Sequence, residues 1–286
     1  MTANHEARPV QALDEGPARE LCGIILHPAG HTLSPILHQA AYAALGLDAV
    51  YLAFDVAPSA LEGAVAGMRA LGVRQLSVSL PHKEAVLKLA NHISPEAQQI
   101  GAANTLTRTD DAIVADNTDW VGVLRTLEPH GPWKGRRATV LGAGGAARAV
   151  VYALRHLGMD VLVTNRTRER ASRLVDELGG RVGSINEPYD LLVNATPLGL
   201  QPQVDASPVG AEELQPRALI FDTVYRPLET RLLREAAARG CRTQDGLDML
   251  VHQAVEQIRL WSGHSPDPAL LRRAADHALQ GDTALR

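Results

Sequence analysis

The 286-residue chain is poor in cysteine and aromatic side chains, carries no excess of charge of either sign, and has no apolar run of membrane-spanning length. Cys22 and Cys241 are its only cysteines. Two thiols so far apart build neither a disulfide framework nor a CxxC metal site. Aromatics make up 3% of the residues, too sparse for a surface that stacks single-stranded nucleic acid. The balance of 28 Lys and Arg against 32 Asp and Glu gives a formal charge of -4 and a pI near 6.3, so charge favours neither nucleic acid nor an anionic membrane as partner. Residues 1–20 are polar and acidic and lack the basic and apolar regions of a signal peptide. They are expected to form a flexible tail on a cytoplasmic protein. The eleven histidines are scattered and form no ligand spacing with cysteine or carboxylate, so no metal is expected.

Glycine, by contrast, is concentrated where it matters most. The stretch Ala138–Thr167, ATVLGAGGAARAVVYALRHLGMDVLVTNRT, reads as strand, glycine turn, helix, second strand and a cationic tip. Gly142 allows a tight turn off the strand, Gly144 lets the backbone approach a pyrophosphate, and Ala147 takes the third small position, where helix and strand pack. Gly142, Ala143, Gly144, Gly145 and Ala146 thus form a candidate dinucleotide loop. Its pyrophosphate would lie on the unpaired N–H groups opening the helix Gly145–Leu157. The flanking apolar runs Ala138–Leu141 and Val161–Val163 supply the context that a bare GxGxx(G/A) match lacks.

The tip of the second strand selects the nucleotide. A free ribose 2′-hydroxyl is usually held by Asp or Glu about 20 residues after the glycines. Here Asn165, Arg166 and Thr167 stand in that place, with Arg168 and Arg170 close behind. A guanidinium fork suits a 2′-phosphate by charge and bidentate geometry, so NADP is expected over NAD. A solvated, Arg-rich first helical turn is the bland alternative.

Elsewhere strands alternate with helical patterns. Leu21–Leu26, Val50–Val56 and Leu76–Leu80 read as strands, and Thr105–Thr107 with Ala112–Ala115 as a hairpin around Asp110–Asp111. Ser34–Pro35 reads as an N-cap followed by a proline opening a helix to about Leu47, and Ser94–Pro95 opens a shorter one. Helices are also expected over Pro58–Leu71, Lys83–Ala90, Thr118–Leu127, Leu228–Ala238, Asp245–Trp261 and Pro268–Leu279, with further strands at Asp190–Val193 and Ala218–Asp222. This alternation predicts an α/β protein with mainly parallel sheets.

Polar residues collect at the ends of the N-terminal strands. Thr32 and Ser34 place two hydroxyls before a helix, where they could clamp a carboxylate, although Ser34 alone could simply cap that helix. Ser77 and Ser79 share one side of a strand, with Lys83 just beyond its end. Asn104 and Asp119 could as easily be turn or cap residues. His31 and His82 flank these motifs without an assigned role.

As an ordered set, HTLSP, SVSLPHK, GAANT, DNTD, GAGGAAR, NRT, NATPLG, DTVYRP and DGLDMLVHQA resemble the motifs of the shikimate dehydrogenase family, from about Leu21 to Gly263. The resemblance implies two α/β domains flanking a cleft, the second a Rossmann-type NADP-binding domain. A substrate domain of residues 21–120 plus 245–286 would face an NADP domain of residues 121–244. Lys83 and Asp119 match the family's catalytic pair, Thr32 and Ser34 its carboxylate-binding hydroxyls, and Asn104 and Gln253 its contacts to substrate hydroxyls. Tyr225 matches a tyrosine lining the cleft, and Gly246 is carried over as a cofactor contact. The implied activity is interconversion of 3-dehydroshikimate and shikimate by hydride transfer, as monomer or homodimer. The residue types suit it: an ammonium held by a carboxylate can supply a proton to a carbonyl oxygen as negative charge develops.

The substrate end departs from the family pattern. Thr32 replaces the first serine of HSxSP, and SVSLPHK replaces NVTVPFK, so that Ser77 stands for an asparagine and Ser79 for a threonine. Losing an amide removes two donors and an acceptor from a surface that reads hydroxyls, and an unmet buried polar group costs about 1–3 kcal/mol. Quinate or another shikimate-like polyol acid is therefore the alternative substrate. Arg226 and Arg231 also depart from the family's usual Asn and Pro. From a different class, a metabolite sensor could keep the fold without catalysis, although retention of Lys83, Asp119, Asn104 and Gln253 counts against it.

Overall fold

Short apolar runs form the strands and apolar residues recur at helical spacing between them, and the chain folds accordingly into two six-stranded sheets with helices on their faces. The computed structural model describes residues 19–284 apart from His31 and Asp111. The expected tail, almost entire, and His31 therefore lie outside the described residues.

The first sheet contains β1 (Glu20–Leu26), β2 (Ala49–Asp55), β3 (Gln75–Val78), β4 (His92–Ile93), β5 (Thr105–Arg108) and β6 (Ile113–Asp116), in the order β2-β1-β3-β5-β6-β4. Helices α1 (Ser34–Leu45), α8 (Leu247–Ser262) and α9 (Pro268–Ala284) cover one face, and α2 (Leu61–Ala70) the other. The two-residue period of β1 divides them: Ile24 packs with Leu37 and Val251, whereas its neighbour Ile25 packs with Val65 and Met68. The expectation of mainly parallel sheets holds, with an antiparallel portion in this first sheet. β5 runs antiparallel to β3, and β5 and β6 form the expected hairpin, whose turn is too short for a parallel crossover.

The second sheet is wholly parallel. It contains β7 (Arg137–Leu141), β8 (Asp160–Thr164), β9 (Arg181–Val182), β10 (Leu191–Asn194), β11 (Leu219–Asp222) and β12 (Arg242–Gln244), ordered β12-β11-β10-β7-β8-β9. The chain leaves β7 in one direction through β8 and β9, then returns to build β10, β11 and β12 on the other side. The strand order thus reverses between β7 and β10, which is where a dinucleotide-binding sheet opens its crevice. Val140, Val193 and Phe221 pack against α5 (Gly145–His156) and α6 (Arg168–Leu178), while Leu141, Leu192 and Ile220 pack against α7 (Arg231–Ala238). Between the sheets, α3 (Pro95–Ile100) meets α5, and α4 (Asp119–Leu127) joins Met249 of α8 to the second core.

Several expected boundaries move for local reasons. Ser34 is the first residue of α1 and Leu33 its cap; the Ser34 hydroxyl makes no capping bond, because it faces Thr32. Ser94, by contrast, caps α3 as expected, accepting from the Ala97 amide at 3.3 Å. Lys83–Ala90 is not a helix. Only a 3-10 turn forms, at Ala85–Leu89, and the Lys83 carbonyl accepts instead from the Ala103 amide at 2.8 Å. α2 begins at Leu61 after a 3-10 turn at Pro58–Ala60, and α7 begins at Arg231 because Thr230 caps it. β4, β9 and β12 are two or three residues long and carry no periodic signal. No helix among the described residues is long and apolar enough to cross a membrane.

Candidate active site

DNTD forms a tight entry to α4, in which Asn117 side-chain oxygen accepts from the Asp119 amide at 3.0 Å. This local turn points the Asp119 carboxylate back toward the loop after β3. There the Lys83 ammonium donates to Asp119 Oδ2 at 2.5 Å, and both side chains are nearly shut off from solvent, at 14% and 5% exposure. The Asn104 amide donates to Asp119 Oδ1 at 2.9 Å, to Thr118 Oγ1 at 2.9 Å and to Gln253 Oε1 at 3.2 Å. Asn104 Oδ1 in turn accepts from the Thr118 amide at 2.7 Å and the Thr105 hydroxyl at 2.9 Å. One buried network thus joins Lys83, Asp119, Asn104 and Gln253 from a loop, a helix start, a strand edge and α8. Nearly every donor and acceptor has a partner, which fixes these side chains in one arrangement.

Hydroxyls line the adjoining edge. Thr32 Oγ1 donates to Ser34 Oγ at 3.2 Å, and the Ser34 amide donates to Thr32 Oγ1 at 3.2 Å. Tyr225 lies against the same loop; burial raises its phenol, and hydrogen bonding to Thr32 opposes the rise. Ser77 is already engaged: its hydroxyl accepts from Tyr51 at 2.6 Å and donates to Gln257 Oε1 at 2.9 Å. Ser79 is partly exposed beyond the end of β3. His82 is buried and donates from Nε2 to the Val56 carbonyl at 2.7 Å, fixing the loop that carries Lys83.

The glycine loop lies at the crevice of the second sheet. Gly142 adopts φ +116°, which favours glycine, and a Cβ there would stand 3.0 Å from the Ala195 carbonyl oxygen after β10. Gly144 caps α5 in an extended conformation, and no side chain caps the first turn, whose amides are free to bind an anion. Ala143 and Ala146 are partly exposed beside it. Gly145 serves a different contact: a Cβ there would lie 2.9 Å from Cβ of Lys83. Past β8, the Asn165 amide donates to the Thr167 carbonyl at 2.9 Å, and Arg166, Arg168 and Arg170 are exposed and form no ion pair among the described residues. This donor set fits an NADP pyrophosphate and 2′-phosphate. Gly246, opening α8, packs so closely on the Thr223 and Val224 backbone that no side chain could be placed there. Asp222, at the end of β11, is fully buried and accepts from Asn194, the Val224 amide and Thr230; burial pushes its carboxyl up to about 6. Arg231 pairs on the surface with Glu235 at 2.6 Å.

Tyr51, Gln257, Thr118 and His38 join or support this network without a role legible in the sequence. Gln257 lies one helical turn after Gln253, and that spacing was the available signal. It donates to the Asn104 carbonyl at 3.1 Å and to Thr105 Oγ1 at 3.0 Å. Tyr51 and His38 sit in apolar patterns and read as core. The His38 ring stacks on Tyr51 with centroids 3.9 Å apart, and burial lowers it to about 3, so it is neutral.

A parallel nucleotide-binding sheet whose crevice opens beside a buried lysine–carboxylate pair defines the class: a dinucleotide-dependent oxidoreductase. Three family models match the chain in order: the shikimate dehydrogenase substrate binding domain at residues 24–106, shikimate / quinate 5-dehydrogenase at 126–196, and the shikimate 5′-dehydrogenase C-terminal domain at 246–275. The shikimate dehydrogenase (NADP(+)) of Moorella thermoacetica is 42% identical over 275 residues, spanning 91% of this chain and 93% of that one. The crystal structure of the Thermus thermophilus shikimate 5-dehydrogenase in complex with NADP(H) and shikimate is 43% identical, with a TM-score of 0.86, covering 91% of this chain and all of that one. Quinate dehydrogenase from Corynebacterium glutamicum in complex with NAD is 31% identical, with a TM-score of 0.81, covering 90% and 98% of the two chains. The chain belongs to the shikimate dehydrogenase family.

Proposed function

We infer that this protein is an NADP-dependent oxidoreductase that interconverts 3-dehydroshikimate and shikimate. The observation that carries the reading is the Lys83–Asp119 pair at 2.5 Å, set against the first turn of α5 where the cofactor loop ends. NADP, when bound, supplies or accepts the hydride. In reduction, Lys83 donates a proton to the carbonyl oxygen as negative charge builds there; in oxidation it receives that proton back. Asp119 holds the ammonium in place, and Asn104 and Gln253 read the ring hydroxyls. Thr32 and Ser34 offer hydroxyls to the carboxylate, and Ser77, Ser79 and Tyr225 line the substrate side of the cleft. Gly142, Ala143, Gly144, Gly145 and Ala146 cradle the pyrophosphate, Asn165, Arg166 and Thr167 the 2′-phosphate, and Gly246 lets α8 close on the nicotinamide side.

Residues 21–120 with 245–286 would then serve as substrate domain and 121–244 as cofactor domain, each with its own sheet. Two free cysteines suit a reducing cytoplasm. Quinate is the second reading, favoured by one observation: Ser77, in place of an amide, is engaged with Tyr51 and Gln257. Kinetics with shikimate and quinate, each with NADP+ and NAD+, test both. The expected outcome is highest kcat/KM for shikimate with NADP+. Quinate oxidised at least as efficiently would replace the substrate, and a preference for NAD+ would remove the assignment of Arg166.

A further inference from the structure

Arg148 is the one charged residue of the GAGGAAR motif, and neither the cofactor cradle nor the catalytic network uses its side chain. Its amide donates to the Gly144 carbonyl at 3.0 Å, the first helical bond of α5. Its side chain is buried at 9% exposure and turns away from the crevice. The guanidinium donates through Nε to the Ile100 carbonyl at the end of α3, and through Nη2 to Glu177 of α6. Gly101 lies beneath it, and a methyl group there would collide with the guanidinium. The next residue of α5, Ala149, packs on Ile100 and Ala102. A buried cation is expensive unless it is fully partnered, so these contacts hold Arg148 to one position.

The segment it grips leads directly to the reacting groups. The Ala103 amide donates to the Lys83 carbonyl at 2.8 Å, and the Asn104 amide to the Asp116 carbonyl at 3.0 Å. The Ala102 carbonyl accepts from Asn117 at 2.8 Å, and Asn117 in turn fixes the Asp119 amide at 3.0 Å. Residues 100–104 therefore include Asn104 and reach Lys83 and Asp119 by separate bonds, and Arg148 ties that segment to the turn of α5 that receives the pyrophosphate.

We propose that Arg148 is a positioning residue that couples occupation of the cofactor site to the geometry of Lys83, Asp119 and Asn104. The coupling rests on the NADP reading above, since it needs an anion on the first turn of α5. Hydrogen exchange of the full chain, read by mass spectrometry with and without NADP+, tests it. NADP+ is expected to slow exchange of the 101–104 amides by about tenfold in the wild type, within the range usual for coupled sites. In Arg148→Met, protection of the glycine loop should remain while protection of 101–104 is lost. kcat should fall at least about tenfold with the KM for NADP+ little changed. If Arg148→Met does not fold, Glu177→Gln, at a half-exposed position, should reduce the same protection. Equal protection of 101–104 in wild type and variant overturns the coupling alone. Failure of the wild type to bind NADP+ overturns both the coupling and the cofactor reading. Binding without oxidation of shikimate overturns only the substrate reading.

Discussion

Lys83 and Asp119 pay a desolvation penalty that an apolar pair of equal size would avoid, and burial of such a pair is by itself no source of stability. Its position explains it. The pair stands at the foot of a hydroxyl-lined edge and against the helix that opens the cofactor crevice, where a fixed ammonium is worth most to a developing alkoxide. Lys83→Ala is therefore expected to lower kcat by about a hundred- to ten-thousandfold, the usual contribution of a positioned acid. Equilibrium binding of NADP+, measured by fluorescence or calorimetry, should remain within about threefold, because the ammonium is not part of the anion cradle. Turnover near the wild-type rate would remove Lys83 from the mechanism. At this scale the sequence was legible where residues sit in ordered motifs: Lys83, Asp119, Asn104 and Gln253 come together in one network. It was opaque where a polar function hides in an apolar pattern. Tyr51 falls in a strand that reads as core, yet its hydroxyl binds Ser77 within the site.

Among the elements, α5 does two tasks at one end. Its free first-turn amides face the crevice, and Gly145 lets the Lys83 loop approach to within contact. A side chain at 145 would meet Cβ of Lys83 at 2.9 Å, closer than real carbon atoms approach, so the loop must shift by a few tenths of an ångström. Misplacing a reacting group by 1 Å can cost about a hundredfold in rate. Gly145→Ala should thus lower kcat about tenfold in steady-state assays with the KM for NADP+ nearly unchanged, since the backbone N–H offered to the pyrophosphate is kept. A rise in that KM with kcat preserved would instead make Gly145 a cofactor contact and nothing more. The strand–glycine–helix–strand unit was readable because its apolar period and its turn chemistry agree. The run from Lys83 to Ala90 was not, since its helical pattern yields to one tertiary bond, from the Ala103 amide to the Lys83 carbonyl. The mixed character of the first sheet was half visible: the hairpin pattern announced β5 against β6, but nothing local says that β5 also pairs antiparallel with β3.

Taken whole, the molecule is two sheets bridged by α4 and α8, and its pH response depends on what each sheet buries. Asp222 lies at the end of β11 with no exposure, and burial lifts its carboxyl from 3.8 to about 6 against the opposing pull of Thr230, Val224 and Asn194. A raised folded value means that the folded state keeps a proton which the unfolded chain releases between about 4 and 6. The stabilisation tied to that proton is complete below pH 4 and is lost as pH rises through 6, after which it is constant. The rise from 3.8 to about 6 corresponds to at most roughly 3 kcal/mol. Asp222→Asn removes the titration while keeping an acceptor for the Val224 amide. Denaturant midpoints of the unit carrying β11, measured from pH 4 to pH 8, should therefore fall more steeply in the wild type than in the variant, with the difference confined to pH 4–6 and flat above it. Parallel profiles would place Asp222 among ordinary ionised carboxylates, held by its three hydrogen bonds. In that case the end of β11 beside the crevice would keep its negative charge down to about pH 4.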